Sequence, residues 1–129
     1  MNKFKWLTRD AIEIMHQEQL LAHGGLPTIR NLSALESALA RPQNKTAYGV
    51  ESAFPLAAAY ICDLTQSQPF SDGNKATSLL AALTFLWING FILEAEQSVV
   101  IAFVLSVAAG EIDEEGATRF FRDFCVPLK

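Results

Sequence analysis

Two stretches of the chain carry almost no polar residue: LLAALTFLWI at 79–88 and VVIAFVLSVAA at 99–109. Each falls well short of the roughly 20 apolar residues that cross a bilayer, so both read as buried helices and no membrane span is predicted. The first belongs to a segment, 75–88, with no polar face at all, which predicts a helix central to a bundle and ended by Asn89-Gly90. The second is predicted over about 97–109, in a core position, and stopped by Gly110.

The remaining segments alternate apolar stretches with helix punctuation. Thr8 is placed to cap a helix with Asp10 in its first turn, running to about Ala22 and stopped by Gly24-Gly25. Ser33 and Glu36 have capping-box spacing before LESALAR, and Pro42 is expected to end that helix. Residues 43–51 are polar and turn-like, and SAFPLAAAYICDLT opens the next helix, with Pro55 tolerable in its first turn. FILEA at 91–95 fits a short strand or an extended link equally well. Asp113 is a plausible cap for a last amphipathic helix with Phe120, Phe121 and Phe124 on or near its buried side. The prediction is an all-α fold, a compact bundle of about six helices joined by short connections. At 129 residues it reads as one domain, 1–129.

Composition narrows the class. Half the residues are hydrophobic, enough for a real core, and the net charge is −4. Lys and Arg form no extended cluster, which argues against direct nucleic-acid binding but leaves room for a small anion site. The start, MNKFKWLTRDAIEIM, has neither an apolar h-region nor a small-residue cleavage site, so no signal peptide is expected. Cys62 and Cys125 lack metal-ligand spacing and fit free thiols. Together these features predict a cytoplasmic protein.

The chemistry concentrates where the loop 67–74 meets the central helix: QPFSDGNKATSLLAALTFLWINGF, residues 68–91. The first N–H groups of a helix have no internal partner and sit at the positive end of its dipole. A loop delivering Gly73, Asn74 and Lys75 to that point can hold an anion. Gly73 lets the backbone approach a ligand closely, Asn74 can donate to an oxygen, and the Lys75 ammonium suits phosphate. Asp72 would disfavour a bare anion but could hold Mg²⁺ bridging to phosphates. Phe70, flanked by polar residues, has the look of an anchor to the core. The same residues also fit an ordinary Asp-Gly-Asn turn in which Asn74 caps the helix and Lys75 is solvated.

This stretch resembles the central motif of the Fic/Doc superfamily on its Doc, or death-on-curing, branch: His-x-Phe-x-Asp-x-Asn-Lys-Arg-Thr, followed by an apolar helix ending in Asn-Gly. GGLP at 24–27, LESALARPQ at 35–43 and AAGEID at 108–113 resemble the same branch in the same order. The resemblance implies a bundle of about six helices. It also implies transfer of a phosphoryl or nucleotidyl group from ATP or another nucleotide, with Mg²⁺, to a protein hydroxyl. In Doc toxins that hydroxyl belongs to a threonine of elongation factor Tu, and a small antitoxin, Phd, inhibits by docking a helix. Carried onto this chain, Phe70 is the buried anchor and Asp72 the metal ligand or substrate-orienting acid. Gly73 stands at a variable position, Asn74 and Lys75 hold phosphate oxygens, and Thr77 is structural.

Two positions depart from the motif. Gln68 stands where the family has its general-base histidine, and Ala76 where it usually has arginine. A glutamine can orient a hydroxyl but accepts no proton near neutral pH. His16, His23 and Asp63 lie on other predicted elements and are not expected to replace the base. Two functions follow. The first is a Doc-like toxin of a toxin–antitoxin module with impaired transfer. The alternative is a non-catalytic interaction module that binds an antitoxin or another protein. Arg30, Arg41 and Lys45 surround the loops at 26–50, a region that the family resemblance implies can approach the nucleotide or the target; each also fits a solvated charge, and that reading is the preferred one. Tyr48 could stack on a base but fits a core edge better, and Trp6 and Trp87 read as packing residues. The acidic turn Glu111, Asp113, Glu114, Glu115 reads as a cap and solvated surface.

Overall fold

The computed structural model describes residues 3–128. Among them the chain forms six helices and one small two-stranded sheet: α1 (Arg9–His23), α2 (Leu32–Ala47), α3 (Ala53–Ser67), α4 (Asn74–Ile88), β1 (Phe91–Leu93), α5 (Gln97–Ala108), α6 (Glu114–Phe124) and β2 (Cys125–Pro127). The expected all-α bundle is what the chain adopts. None of the described helices is long and apolar enough to cross a membrane.

Local signals set most boundaries. Thr8 Oγ1 accepts the Ala11 N–H, Ser52 Oγ the Phe54 N–H and Asp113 Oδ1 the Gly116 N–H, so three helices start where a side chain satisfies an orphan donor. Pro55 sits in the first turn of α3, where its missing N–H costs nothing.

α2 departs from expectation twice. Its cap is Asn31, whose Oδ1 accepts the Ala34 N–H at 3.0 Å, while Ser33 lies inside the helix. The helix also runs through Pro42 to Ala47. Pro42 removes one ladder bond, but its ring is buried. The turn beyond it is tied down from outside: Arg41 reaches Asp63 and Glu114, and Lys45 Nζ lies 2.7 Å from Glu114. Glu114 is therefore an ion-pair partner and not a solvated charge.

α3 is the most enclosed helix, with ten of its fifteen residues buried. Its run Ala57-Ala58-Ala59 lets neighbours approach on several sides, and it packs against α2, α4, α5 and α6. α4 shares the centre but turns Trp87, 54% exposed, to solvent. α5 is less buried than its composition suggested. Only Phe103, Val104 and Val107 are buried, and Ile101 and Leu105 stand about half exposed, because α5 packs by one face alone. Tyr48, read as a core edge, is 91% exposed.

FILEA resolves as a strand because it finds a partner. Ile92 opposes Val126 in an antiparallel pair with β2, a strand too short to show a period in the sequence. Cys62 and Cys125 are both free, and burial pushes their thiols up to about 12 and about 11, so neither is an activated nucleophile.

Candidate functional site

The loop between α3 and α4 starts with an unusual backbone. Gln68 caps α3 at φ 47°, ψ 62°, and among the described residues it alone takes a positive φ without being glycine. For a residue with a Cβ this costs about 1 kcal/mol or more, and it persists only where surroundings enforce it. Arg30 does so: its Nη2 donates to the Gln68 carbonyl at 2.8 Å and lies 3.5 Å from Gln68 Oε1.

The segment before α2 lies along the loop as a short strand. Pro69 O accepts the N–H groups of Arg30 and Asn31, and Ser71 N–H donates to Thr28 O. Ile29 bridges Phe70 in antiparallel register, and the Thr28 and Ser71 hydroxyls sit 2.6 Å apart.

Phe70 is buried, as expected of an anchor, and stacks on the His16 ring with centroids 3.8 Å apart. His16 Nε2 bonds the Asp72 carbonyl at 2.8 Å; a carbonyl only accepts, so Nε2 carries the proton. This histidine thus braces the loop and is not a stand-in base. Asn74 closes the loop on itself. Its Oδ1 accepts the Phe70 N–H at 3.0 Å and its Nδ2 donates to the Phe70 carbonyl at 2.9 Å. The amide oxygen and one of the two amide N–H groups are taken up, so the Asn74 side chain does not cap the helix; the main-chain N–H of Asn74 is left over.

Asp72 Oδ2 accepts the Leu26 N–H at 2.8 Å. Glycine is required at position 25 for this contact, since a Cβ there would stand 2.9 Å from the Asp72 Cβ. Gly73 takes φ +80° against His16 and Leu20, turning the chain into α4 without bringing a capping side chain.

The start of α4 is consequently open. Its first internal bond runs from Thr77 N–H to Gly73 O, and no side chain caps it, so among the described residues the N–H groups of Asn74, Lys75 and Ala76 have no partner. They border a cavity of about 290 Å³ lined by Thr65, Gln68, Ser71, Asp72, Gly73, Asn74, Lys75 and Ala108. That is the small end of ligand-pocket volumes. Lys75 is exposed and makes no ion pair among the described residues. Gln68, Asp72, Gly73, Asn74 and Lys75 are thus brought to one cavity, while Phe70 of the same loop is buried against His16.

Asp63, Arg41, Lys45 and Glu114 form a separate ion cluster between α2, α3 and α6. The bonds from Arg41 and Lys45 outweigh burial and hold the Glu114 carboxyl below its ordinary range, whereas burial pushes Asp63 above it despite Arg41.

The fit of magnesium turns on Asp72. One oxygen is spent on Leu26, and the described residues contain no group of three His, Cys, Asp or Glu able to cage an ion. A single carboxylate oxygen suits Mg²⁺ only where phosphates and water complete the shell, which is the usual habit of that ion.

Sequence reasoning missed Arg30 and His16 as parts of the loop. Neither lies near it in the chain; only the pairing of 28–31 with 69–71 and the packing of α1 on α4 bring them there.

The comparisons with known proteins agree with this architecture. Over 80 residues, 59% of this chain and 60% of the relative, the chain is 44% identical to "Toxin Doc" of Mycolicibacterium smegmatis (strain ATCC 700084 / mc(2)155). Over 77 residues, 59% of this chain and 61% of the relative, it is 32% identical to "Protein kinase doc" of Escherichia phage P1. The chain thus spans about three fifths of the length of these relatives. Residues 6–86, from the start of the fold to the end of the helix that follows the loop, match the Fic/DOC family, and the chain belongs to that family.

Proposed function

We propose that the chain is a Doc-like toxin of a toxin–antitoxin module that holds the phosphates of a nucleotide at the start of α4 and is impaired in transferring a group to a protein hydroxyl. The observation that carries this reading is the uncapped N-terminus of α4 opening on a small polar cavity beside Lys75, which makes no ion pair among the described residues. Four other helices, α1, α2, α3 and α6, have a side-chain cap on their first turn. The partnerless N–H groups and the Lys75 ammonium would take phosphate oxygens, with the helix dipole adding to the attraction. Asp72 would offer its remaining oxygen to Mg²⁺, which when bound neutralises phosphate charge.

Gln68 lines the same cavity at the place of the family base. Its amide can orient an incoming hydroxyl but takes no proton, so the transfer step loses about 10²–10⁴-fold, roughly 3–5 kcal/mol of barrier. On this reading the target is a translation factor such as elongation factor Tu, the partner a Phd-like antitoxin and the location the cytoplasm, as the resemblance to the Doc branch implies. The names of the two relatives, a toxin and a protein kinase, support the reading only as far as a toxin and phosphoryl transfer.

Titration calorimetry with ATP and Mg²⁺ tests the phosphate site: binding is expected, and no heat with any nucleotide at about millimolar concentration would remove the reading. The double substitution Gln68→His, Ala76→Arg tests the chemistry, with labelled transfer to elongation factor Tu or growth arrest as the expected gain.

A second reading, a non-catalytic module retained for binding a protein partner, is favoured by the half-exposed apolar residues Ile101 and Leu105 on α5. It prevails if the doubly substituted protein transfers nothing while an antitoxin still binds.

A further inference from the structure

Arg30 has an unusual setting for a surface arginine. Its Nη2 donates to a neutral acceptor, the Gln68 carbonyl, at 2.8 Å. It has no carboxylate partner among the described residues, so its charge is uncompensated. A guanidinium has five N–H donors in a fixed plane, and one nitrogen accounts for all the side-chain contacts Arg30 makes here. Its backbone is equally constrained, because its own N–H donates to Pro69 O at 2.7 Å. Arg30 does not itself line the cavity at the start of α4, but its head group is bonded to Gln68, which does.

That cavity has Lys75 as a cation on its own loop, while the next residue, Ala76, contributes none. A compact ammonium neutralises charge but cannot grip two oxygens of one phosphate, as a guanidinium does.

We propose that Arg30 is the second phosphate-binding cation of this site, supplying from the segment before α2 the guanidinium that position 76 lacks. The inference rests on the phosphate-site reading and deepens it: the ligand class is a chain of at least two phosphates, one seated on the α4 N–H groups and Lys75, another reaching past Gln68 to Arg30. Its bond to the Gln68 carbonyl keeps the guanidinium beside Gln68 with the other N–H groups unspent.

The test compares ATP with Mg²⁺ and inorganic triphosphate as probes, by calorimetry at low and high salt. The proteins are the unsubstituted chain, Arg30→Gln, Arg30→Lys and Arg30→Gln with Ala76→Arg. Arg30→Gln should weaken both probes by about five- to twentyfold and flatten the salt dependence; Arg30→Lys should keep the charge and lose part of the grip. Adding Ala76→Arg should restore most of the loss. An Arg30→Gln protein that binds within about twofold of the unsubstituted chain would overturn the proposal while leaving the phosphate site intact. So would weakening that Ala76→Arg leaves unrepaired and that tracks a fall in melting temperature, which would assign Arg30 to holding the loop alone. If Arg30→Gln fails to fold, the split between Arg30→Lys and the unsubstituted chain decides the question. If the unsubstituted chain binds neither probe, the site reading fails and this proposal with it.

Discussion

At the scale of single residues, the loop at 68–74 is held by groups that do not face its cavity. Asn74 is the clearest case. Its amide makes a reciprocal pair of bonds with the Phe70 backbone, fixing the three residues between them so that Gly73 can turn into α4. Asn74→Ala should remove both bonds and leave Phe70 N–H and C=O short of partners in a half-buried place, at a cost of about 1–3 kcal/mol. A fall of several degrees in the melting temperature, measured by circular dichroism, checks this; an unchanged midpoint would mean that water replaces the amide at no cost. Gln68 shows the complementary effect, a backbone strain that Arg30 holds in place.

At the scale of elements, α2 shows tertiary contacts overriding a local breaker. Proline should stop the helix at residue 41, yet it continues for five residues beyond Pro42, with Lys45 tied to Glu114 at the head of α6. This cluster gives a pH prediction. The Glu114 carboxyl is pushed up by burial but held below its ordinary range by bonds from Arg41 and Lys45. A folded-state pKa below the unfolded one means the unfolded chain binds more protons in acid. The stabilisation is thus full above the ordinary carboxylate range and lost as pH falls through the depressed folded value. Asp63 has the opposite sign: its contribution is full in acid and fades as pH rises through its raised value. Glu114 has two cationic partners against one for Asp63, and we expect it to dominate. Glu114→Gln should cost about 1–2 kcal/mol at neutral pH and show a flatter loss of stability between about pH 5 and 3. Urea midpoints across that range measure it; parallel pH profiles for the two proteins would refute it.

At the scale of the whole molecule, Phe85 ties the segment before α1 to the bundle. It is fully buried on α4, stacks on Trp6 at 5.6 Å and meets Phe4 at 6.2 Å and Tyr60 of α3 at 5.1 Å. Around it, Leu7 N–H reaches the Tyr60 hydroxyl, and the Asn89 side chain bonds Lys5 on both sides of its backbone. Phe85→Ala should cost about 3–5 kcal/mol, a large share of the 5–15 typical of a domain. The denaturant midpoint followed by tryptophan fluorescence should drop with little change in slope, and under conditions where the variant stays folded the ATP binding that the proposed site predicts should match that of the unsubstituted chain. A steeper loss of binding than of stability would show that this end of the bundle communicates with the loop.

Much of this was legible in the chain because it depends on neighbours in sequence. Thr8 and Asp113 cap helices as their side chains dictate, Gly24 and Gly110 follow the ends of helices, and the abrupt change from polar to apolar at 68–75 marks the loop and its helix. Tertiary structure decided what depends on residues far apart. It carried α2 through Pro42, paired Phe91–Leu93 with a strand that has no periodic signal of its own, and left one face of an apolar helix, α5, open. It brought His16 and Arg30 to the loop across 56 and 38 positions of chain. Side-chain caps and turns are settled within a few residues, whereas ion pairs, ring stacking and strand partners require the chain to have folded, and the site draws on both.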